Sequence, residues 1–380
     1  MKMLFLSQGR RIEDHPGWEW ALSQLKEEGA IADYLTIPWI GYGEQHGWAV
    51  FYKHVVDIAA ASRCDAVYFH YFHRYGVPSA RECIEKLRAL KTSPVVVTSI
   101  GDADADRRLP FLARRFPESF RTAASRSDIV FATQMGNTAD IIKGWGAKNI
   151  VLSPHGMCPV RFKSYTIDPL RHKFDFDVVM VGSRNGGGRN PFSEYAIRAR
   201  ERNKMVRMLS NHFGRRFAIF GNGWEGCVSN QGPVSFDGQQ AAFQRGRICV
   251  SGNPYSYDDY YLSNREFFEI ASGIPTVELR VPRLEKIFRD GYHCHFVNKI
   301  DGIVAKCEEL LRKNPVELYK TAALAAEDIV LRHTQYHRMK FMVDVIRRYR
   351  DTGSIKGLDI PFFLPETDVD LEKQFAIRSR

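Results

Sequence analysis

The sequence predicts an α/β protein built from two tandem doubly wound Rossmann-like domains that face a central cleft. Short apolar runs rich in β-branched residues alternate with longer helical patterns along the chain. The runs are apolar at consecutive positions, which suits strands of a parallel sheet covered on both faces. The alternation breaks around residues 155–175 and then restarts, as it would across a linker. A chain of 380 residues also exceeds the roughly 250–300 at which a single core stops growing.

In a first domain, residues 1–160, the expected strands are Met3–Ser7, Ala66–Phe72, Pro94–Ile100, Asp128–Thr133 and Asn149–Pro154. Helical stretches such as Gly17–Glu28 and Ala80–Leu90 lie between them. Residues 161–175 lack sustained periodicity and read as the linker. In a second domain, residues 176–340, the strands are Phe176–Gly182, Arg216–Gly221, Arg247–Gly252, Pro275–Leu279 and His293–Asn298. Ile303, Cys307, Leu310 and Leu311 then recur at helical spacing. Residues 341–380 read as a helix followed by a polar tail.

Composition narrows the class. Hydrophobic residues make up 44% and charged residues 26%, ordinary for a globular protein. No run approaches the ~20 apolar residues that a bilayer-spanning helix needs. The N-terminal MKMLFLSQGRRIED has too short an apolar run for a signal peptide. Seven cysteines without metal-ligand spacing read as reduced thiols, so a cytoplasmic location is expected. Lys and Arg total 54 against 44 Asp and Glu, a net charge of +10 that favours anionic partners. No basic arm accompanies that excess, so nucleic acid is not an expected partner.

Ligands of open α/β sheets bind at the carboxyl ends of strands, so the segments there carry the chemistry. Ser263–Pro275, SNREFFEIASGIP, places Ser263 or Asn264 as N-cap of a helix stopped by Gly273. Arg265 in its first turn, with free N–H groups beside it, makes a phosphate site; an ordinary amphipathic helix is the bland alternative. Gly182–Asn190, GSRNGGGRN, follows a strand and offers Ser183, Arg184 and Arg189 as donors on a backbone that allows close approach. It is neither a Walker A loop nor GxGxxG. Gly221 and Gly223 flank a second strand end, where Trp224 is either a ring platform or a core residue.

These segments, taken in order, resemble the C-terminal domain of GT-B glycosyltransferases, in particular the CgeB-like and glycosyl transferases group 1 families. The resemblance rests on FDVVMVGS, FGNGW, SNREFFEIASGIP set against the family's pattern SNR-x-x-E-x-x-ASG-x-P, then Leu284, Phe288, Asp290 and Gly291 in LEKIFRDG, and RHTQYHR from Arg332 to Arg338. It covers about residues 174–345; the first half is similar more loosely, through SDIVFAT and GAKNIVLSPHG. The resemblance implies a nucleotide-diphosphate sugar as donor, no further cofactor, no bound metal, and a sugar, lipid-linked or protein acceptor. The family's ribose-holding glutamate falls on Phe268, with Glu269 next door as the candidate substitute.

On the acceptor side, Asp14 and His15 follow the first strand and are candidates for a base that removes a hydroxyl proton, though Asp14 equally suits a helix cap. Asp102 and Asp104 in GDADAD follow another strand and are read as acceptor-side carboxylates in preference to metal ligands. His70 and His73 in HYFHR lie near a third strand end, and His155 lies at the hinge facing the cleft. Arg107, Arg108, Arg114, Arg115, Arg121 and Arg126 form either a solvated basic face or a peripheral contact with an anionic membrane. Three other classes share parts of this pattern: a GT-B-like nucleotide-sugar 2-epimerase, a noncatalytic nucleotide-sugar binder, and a nucleic-acid binder.

Overall fold

A computed structural model describes residues 1–102, 116–186, 191–253 and 257–364. The first lobe carries β1 (Lys2–Ser7), α1 (Pro16–Glu27), β2 (Asp33–Pro38), α2 (Trp39–His46), α3 (Trp48–Ala61), β3 (Ala66–Phe69), α4 (Arg81–Arg88), β4 (Val95–Ile100), α5 (Glu118–Arg126), β5 (Ile129–Ala132), α6 (Asn137–Gly144) and β6 (Ile150–Leu152). Its six strands are parallel in the order β2-β1-β3-β4-β5-β6. The consecutive apolar positions divide between the two faces as strand geometry requires. Met3 and Phe5 pack beneath α1, while Leu4 and Leu6 pack towards α3 and α4.

The second lobe carries β7 (Phe176–Val181), α7 (Glu194–Phe213), β8 (Phe217–Phe220), α8 (Gln239–Phe243), β9 (Gly246–Ser251), α9 (Asn264–Ala271), β10 (Thr276–Leu279), β11 (His295–Val297), α10 (Ile303–Arg312) and α11 (Pro315–Arg332). Its five parallel strands run in the order β11-β10-β9-β7-β8. Both sheets are therefore doubly wound. The strand order reverses between β1 and β3 in one lobe and between β7 and β9 in the other, the places where ligands of open α/β sheets bind.

The strand β2 is absent from the sequence expectation. It is an edge strand, and only Ile37 of its six residues is buried, so the apolar run that marks the inner strands does not form. The chain crosses between the lobes at 153–175 and again at 333–335, side by side, and further on Leu364 N–H reaches the Lys286 carbonyl of the second lobe at 2.7 Å. No helix or strand spans 153–175, where Met157 N–H donates to the His333 carbonyl at 2.8 Å and the Met157 carbonyl accepts from Gln335 at 2.9 Å. From there α12 (Gln335–Thr352) returns to the first lobe. Its Met339, Met342, Val343 and Ile346 pack with Trp18, Leu22 and Leu25.

All seven cysteines are unpaired. Among the described residues no helix is long and apolar enough to cross a membrane, and no cluster of three or more His, Cys, Asp or Glu could hold a metal ion.

Candidate site at the interlobe crevice

In the second lobe, the loops after β7 and β8 form one hydrogen-bonded unit. Gly182 N–H donates to the Phe220 carbonyl at 2.7 Å, and Arg184 N–H to the Asn222 carbonyl at 2.8 Å. Asn222 N–H donates to Ser183 Oγ at 3.2 Å. A Cβ at Gly221 would overlap the Gly182 carbonyl, so the zipper closes only with glycine there. Trp224 is buried among Met205, Val206 and Leu209, and its Nε1 donates to the Gly182 carbonyl at 2.7 Å. The ring fixes this loop from below and packs as a core residue.

Beside the loop stands the start of α9. Ser263 is the N-cap and forms a capping box with Glu266, whose Oε2 accepts from Ser263 N–H at 2.6 Å. Ser263 Oγ accepts from Arg265 N–H at 3.3 Å. The N–H groups of Ser263 and Arg265, expected to face an anion, are thus occupied inside the helix terminus. Asn264 begins the helix between them and is half-buried. The Arg265 side chain, 18% exposed, donates to Asn253 Oδ1 at 3.1 Å and lies 3.7 Å from Glu266.

A second guanidinium meets it. Arg202, in the middle of α7, is only 6% exposed, and its Nε and Nη2 have no hydrogen-bond partner among the described residues. A Cβ at Gly182 would overlap Arg202 Nη2 and lie 3.2 Å from Arg265 Nη1. Both cations therefore press on the bare backbone of Gly182 at the β7/β9 reversal. Burial, with Arg265 adding like charge, pulls the Arg202 guanidinium down to about 9. A buried cation with unpartnered donors is costly unless an anion compensates it.

Glu269 behaves differently from the expectation. It is 1% exposed, and neither carboxylate oxygen has a hydrogen-bond partner among the described residues. Burial raises its carboxyl to about 8 against the pull of Arg265. Sealed between α9 and the sheet, it offers no open oxygen to a ribose. Phe268, where the family's glutamate falls, instead stacks on Phe162 at 4.1 Å.

The first lobe contributes the opposite wall. Asp102 follows β4 with φ +47 and 55% of its side chain open. His155 Nε2 lies 3.5 Å from Asp102 Oδ1, and His155 Nδ1 lies 3.0 Å from the Tyr71 hydroxyl. Tyr261, from the second lobe, donates to Asp102 Oδ1 at 2.8 Å. The hydrogen bonds and charge of His155, with the Tyr261 hydroxyl, hold the Asp102 carboxyl below its ordinary value. Burial also pushes the Tyr71 phenol well up. When that phenol donates to Nδ1, Nε2 carries the imidazole proton and points it at Asp102.

The two earlier candidates sit further along the same edge. Asp14 Oδ2 accepts from the N–H groups of Arg10 at 2.7 Å and Arg11 at 3.1 Å, so it closes the loop after β1. His15 is kept below its ordinary pKa by burial, and its ring lies 6.3 Å from that of the fully buried His70. His70 in turn lies 4.1 Å from Tyr71, which joins this row to His155. Asp104, Arg189, Arg107, Arg108, Arg114 and Arg115 fall outside the described residues. Of the remaining arginines on that face, Arg126 pairs with Glu85 at 3.8 Å and Arg121 lies over Trp145 at 6.0 Å.

Sequence reasoning missed Arg202, Tyr71 and Tyr261. Arg202 sits in the charged run RARERNK, which reads as a solvated helix face. Tyr71 falls inside an expected strand, and Tyr261 in a run with no motif to mark it.

Residues 198–344 match the model of a family described as glycosyl transferase-like, a segment of less than half the chain. No curated protein matches the sequence. Among solved structures, sucrose-phosphate synthase from Thermosynechococcus elongatus superposes with a TM-score of 0.56 at 12% identity, over 93% of this chain and 100% of that one. Anabaena HepE, in complex with UDP and glucose, gives 0.54 at 12% identity, over 91% and 99%. A structure assigned as a UDP-N-acetylglucosamine 2-epimerase from Listeria monocytogenes gives 0.51 at 10% identity, over 94% and 99%. At these identities the likeness is one of fold, and the chain has the two-domain Rossmann-like GT-B fold.

Proposed function

We propose that this protein is a glycosyltransferase that moves a sugar from a nucleotide-diphosphate sugar to a hydroxyl acceptor. The observation that carries the reading is the pair Arg202 and Arg265, converging on Gly182, with Arg202 Nε and Nη2 buried and without a hydrogen-bond partner among the described residues. Two fixed cations at a strand-order reversal suit a diphosphate. Negative charge grows on that diphosphate as the bond to the sugar breaks, and preorganised cations stabilise the developing charge without the aid of a metal. The family match over 198–344 spans this donor-side half.

Across the crevice, Asp102 is the candidate to take the proton of the acceptor hydroxyl while its oxygen bonds the anomeric carbon. His155 and Tyr261 hold the carboxylate ionised and in place. The acceptor is a glycan, a lipid-linked saccharide or a protein, and a lipid-linked one would bring the chain to an anionic membrane surface.

The test is a thermal-shift screen with UDP-, GDP-, dTDP- and CMP-sugars on the parent, Arg202→Met and Arg265→Ala. A ligand of the folded state raises the melting temperature in proportion to its binding. Losing a charged hydrogen-bond donor to phosphate weakens binding by about 10–100-fold, from roughly 1.5–3 kcal/mol. Unchanged affinity in both variants overturns the site. Donor turnover with no acceptor present would favour the epimerase reading instead.

A further inference from the structure

We infer that Arg338 is a positioning residue that sets the orientation of His155 in the crevice. Its side chain is fully buried, and no carboxylate among the described residues pairs with it. Instead, its Nε donates to two successive carbonyls, Pro154 at 3.0 Å and His155 at 3.1 Å. Nη1 donates to the Arg332 carbonyl at 3.3 Å, and Nη2 lies 3.0 Å from His333 Nδ1. Burial keeps the His333 imidazole neutral, so Nδ1 accepts. Phe362 covers the guanidinium at 4.2 Å, and Phe267, two residues beyond Arg265, lies at 5.5 Å.

Removing a cation from water to satisfy only neutral acceptors is expensive, and an apolar side chain would fill the space at lower cost. What an apolar side chain lacks is the planar fork. Nη1 and Nη2, anchored on the Arg332 carbonyl and His333 Nδ1, fix the plane in which the one Nε–H bridges the carbonyls at 154 and 155, and with them the peptide between Pro154 and His155. That peptide sets the direction in which the imidazole leaves the chain towards Asp102. The backbone packs closely on the other side as well: a Cβ at Gly156 would lie 2.8 Å from the Thr334 carbonyl carbon. His155 thus stands on a joint clamped by Arg338, and the same arginine touches the helix that carries Arg265.

This inference rests on the proposed transferase reading for its kinetic test, but not for its spectroscopic one. Arg338→Lys keeps the charge and removes the fork. With a turned-over donor, kcat should fall about 10-fold or more while donor affinity stays within about 2-fold. The acid limb of the pH–rate profile should move upward, because Asp102 loses the His155 partner that holds its carboxyl low. With His155→Ala as background, adding Arg338→Lys should cost little more. Long-range proton–nitrogen NMR of the His155 ring gives the second readout. Altered ring shifts without any transferase activity would leave this inference standing and sink the function. An unmoved ring and an unmoved acid limb, or equal losses in donor binding and kcat, would overturn the inference itself. If Arg338→Lys does not fold, Phe362→Leu thins the stack and leaves the hydrogen bonds. It should move the same readouts in the same direction by less, and no movement overturns the inference.

Discussion

Tyr261 of the second lobe donates its phenolic proton to Asp102 of the first, 2.8 Å away across the crevice. The carboxylate is thereby held from both lobes, since His155 approaches the same oxygen at 3.5 Å. The contact forms only while the lobes are close.

Tyr261→Phe removes one of the two groups that depress the Asp102 carboxyl. The folded pKa of Asp102 lies below its ordinary value, so the stabilisation is present above that ordinary value and is lost as pH falls through the folded one. The variant should therefore shift the acid limb of activity upward, with a loss in kcat of less than about 10-fold, the scale of a single ~1 kcal/mol hydrogen bond. A pH–rate profile that superposes on the parent's would show that Tyr261 does not act on Asp102.

A second interlobe contact is wholly buried. Asp258, 1% exposed, accepts from Thr138 Oγ1 at 2.6 Å, Asn137 N–H at 2.7 Å, Gln134 Nε2 at 2.9 Å and Thr138 N–H at 3.2 Å. It caps α6 of the first lobe from a loop of the second. Asp258→Ala leaves several buried donors open, at about 1–3 kcal/mol for a group left unsatisfied. The melting temperature should fall by several degrees, and small-angle scattering should report a larger radius of gyration as the lobes separate. A destabilised variant with an unchanged radius would confine Asp258 to a local cap.

Gly221→Ala tests the zipper between the strand-end loops. The added Cβ would overlap the Gly182 carbonyl, which is backbone and cannot swing aside. The displaced Gly182 would carry the meeting point of Arg202 and Arg265 with it. Nucleotide-sugar affinity should drop by about 10-fold or more, on the scale of one misplaced charged contact, while Gly226→Ala, whose Cβ would meet nothing within 4 Å, serves as the control for left-handed backbone strain. Equal losses in the two variants would remove the argument from close approach.

The inner strands were legible because burial on both faces writes consecutive apolar residues: β4 is buried at all six positions. The same logic hides β2, whose outer edge faces solvent. Arg265 was legible because a helix start announces itself through Ser263 and Glu266. Arg202 was not, because a mid-helix arginine in a charged run looks the same whether it faces water or a strand end. Asp102 was read from its strand end and His155 from the hinge. Their pairing follows from β4 and β6 both delivering their carboxyl ends to one edge, a relation that strand order decides. Glu269 shows the limit from the other side: the family resemblance offered it as a substitute for the ribose-holding glutamate that falls on Phe268, and three-dimensional packing buries it at 1% exposure.

Glu269 therefore gives a stability prediction instead of a binding one. Its folded pKa, about 8, is raised above the ordinary value by burial. For such a group the stability is full below the unfolded pKa of about 4.3 and is lost as pH rises towards the folded value. Above that window the native state holds an ionised carboxylate with no hydrogen-bond partner among the described residues. Glu269→Gln cannot ionise and keeps nearly the same volume. Relative to the parent, its melting temperature should rise as pH goes from 5 to 8, by roughly 2–4 °C for each kcal/mol of ionisation cost relieved. Thermal melts of both proteins across that range check the sign. A difference in melting temperature that stays flat with pH would show that Glu269 ionises freely in the folded state, and would reopen it as a ligand for a ribose.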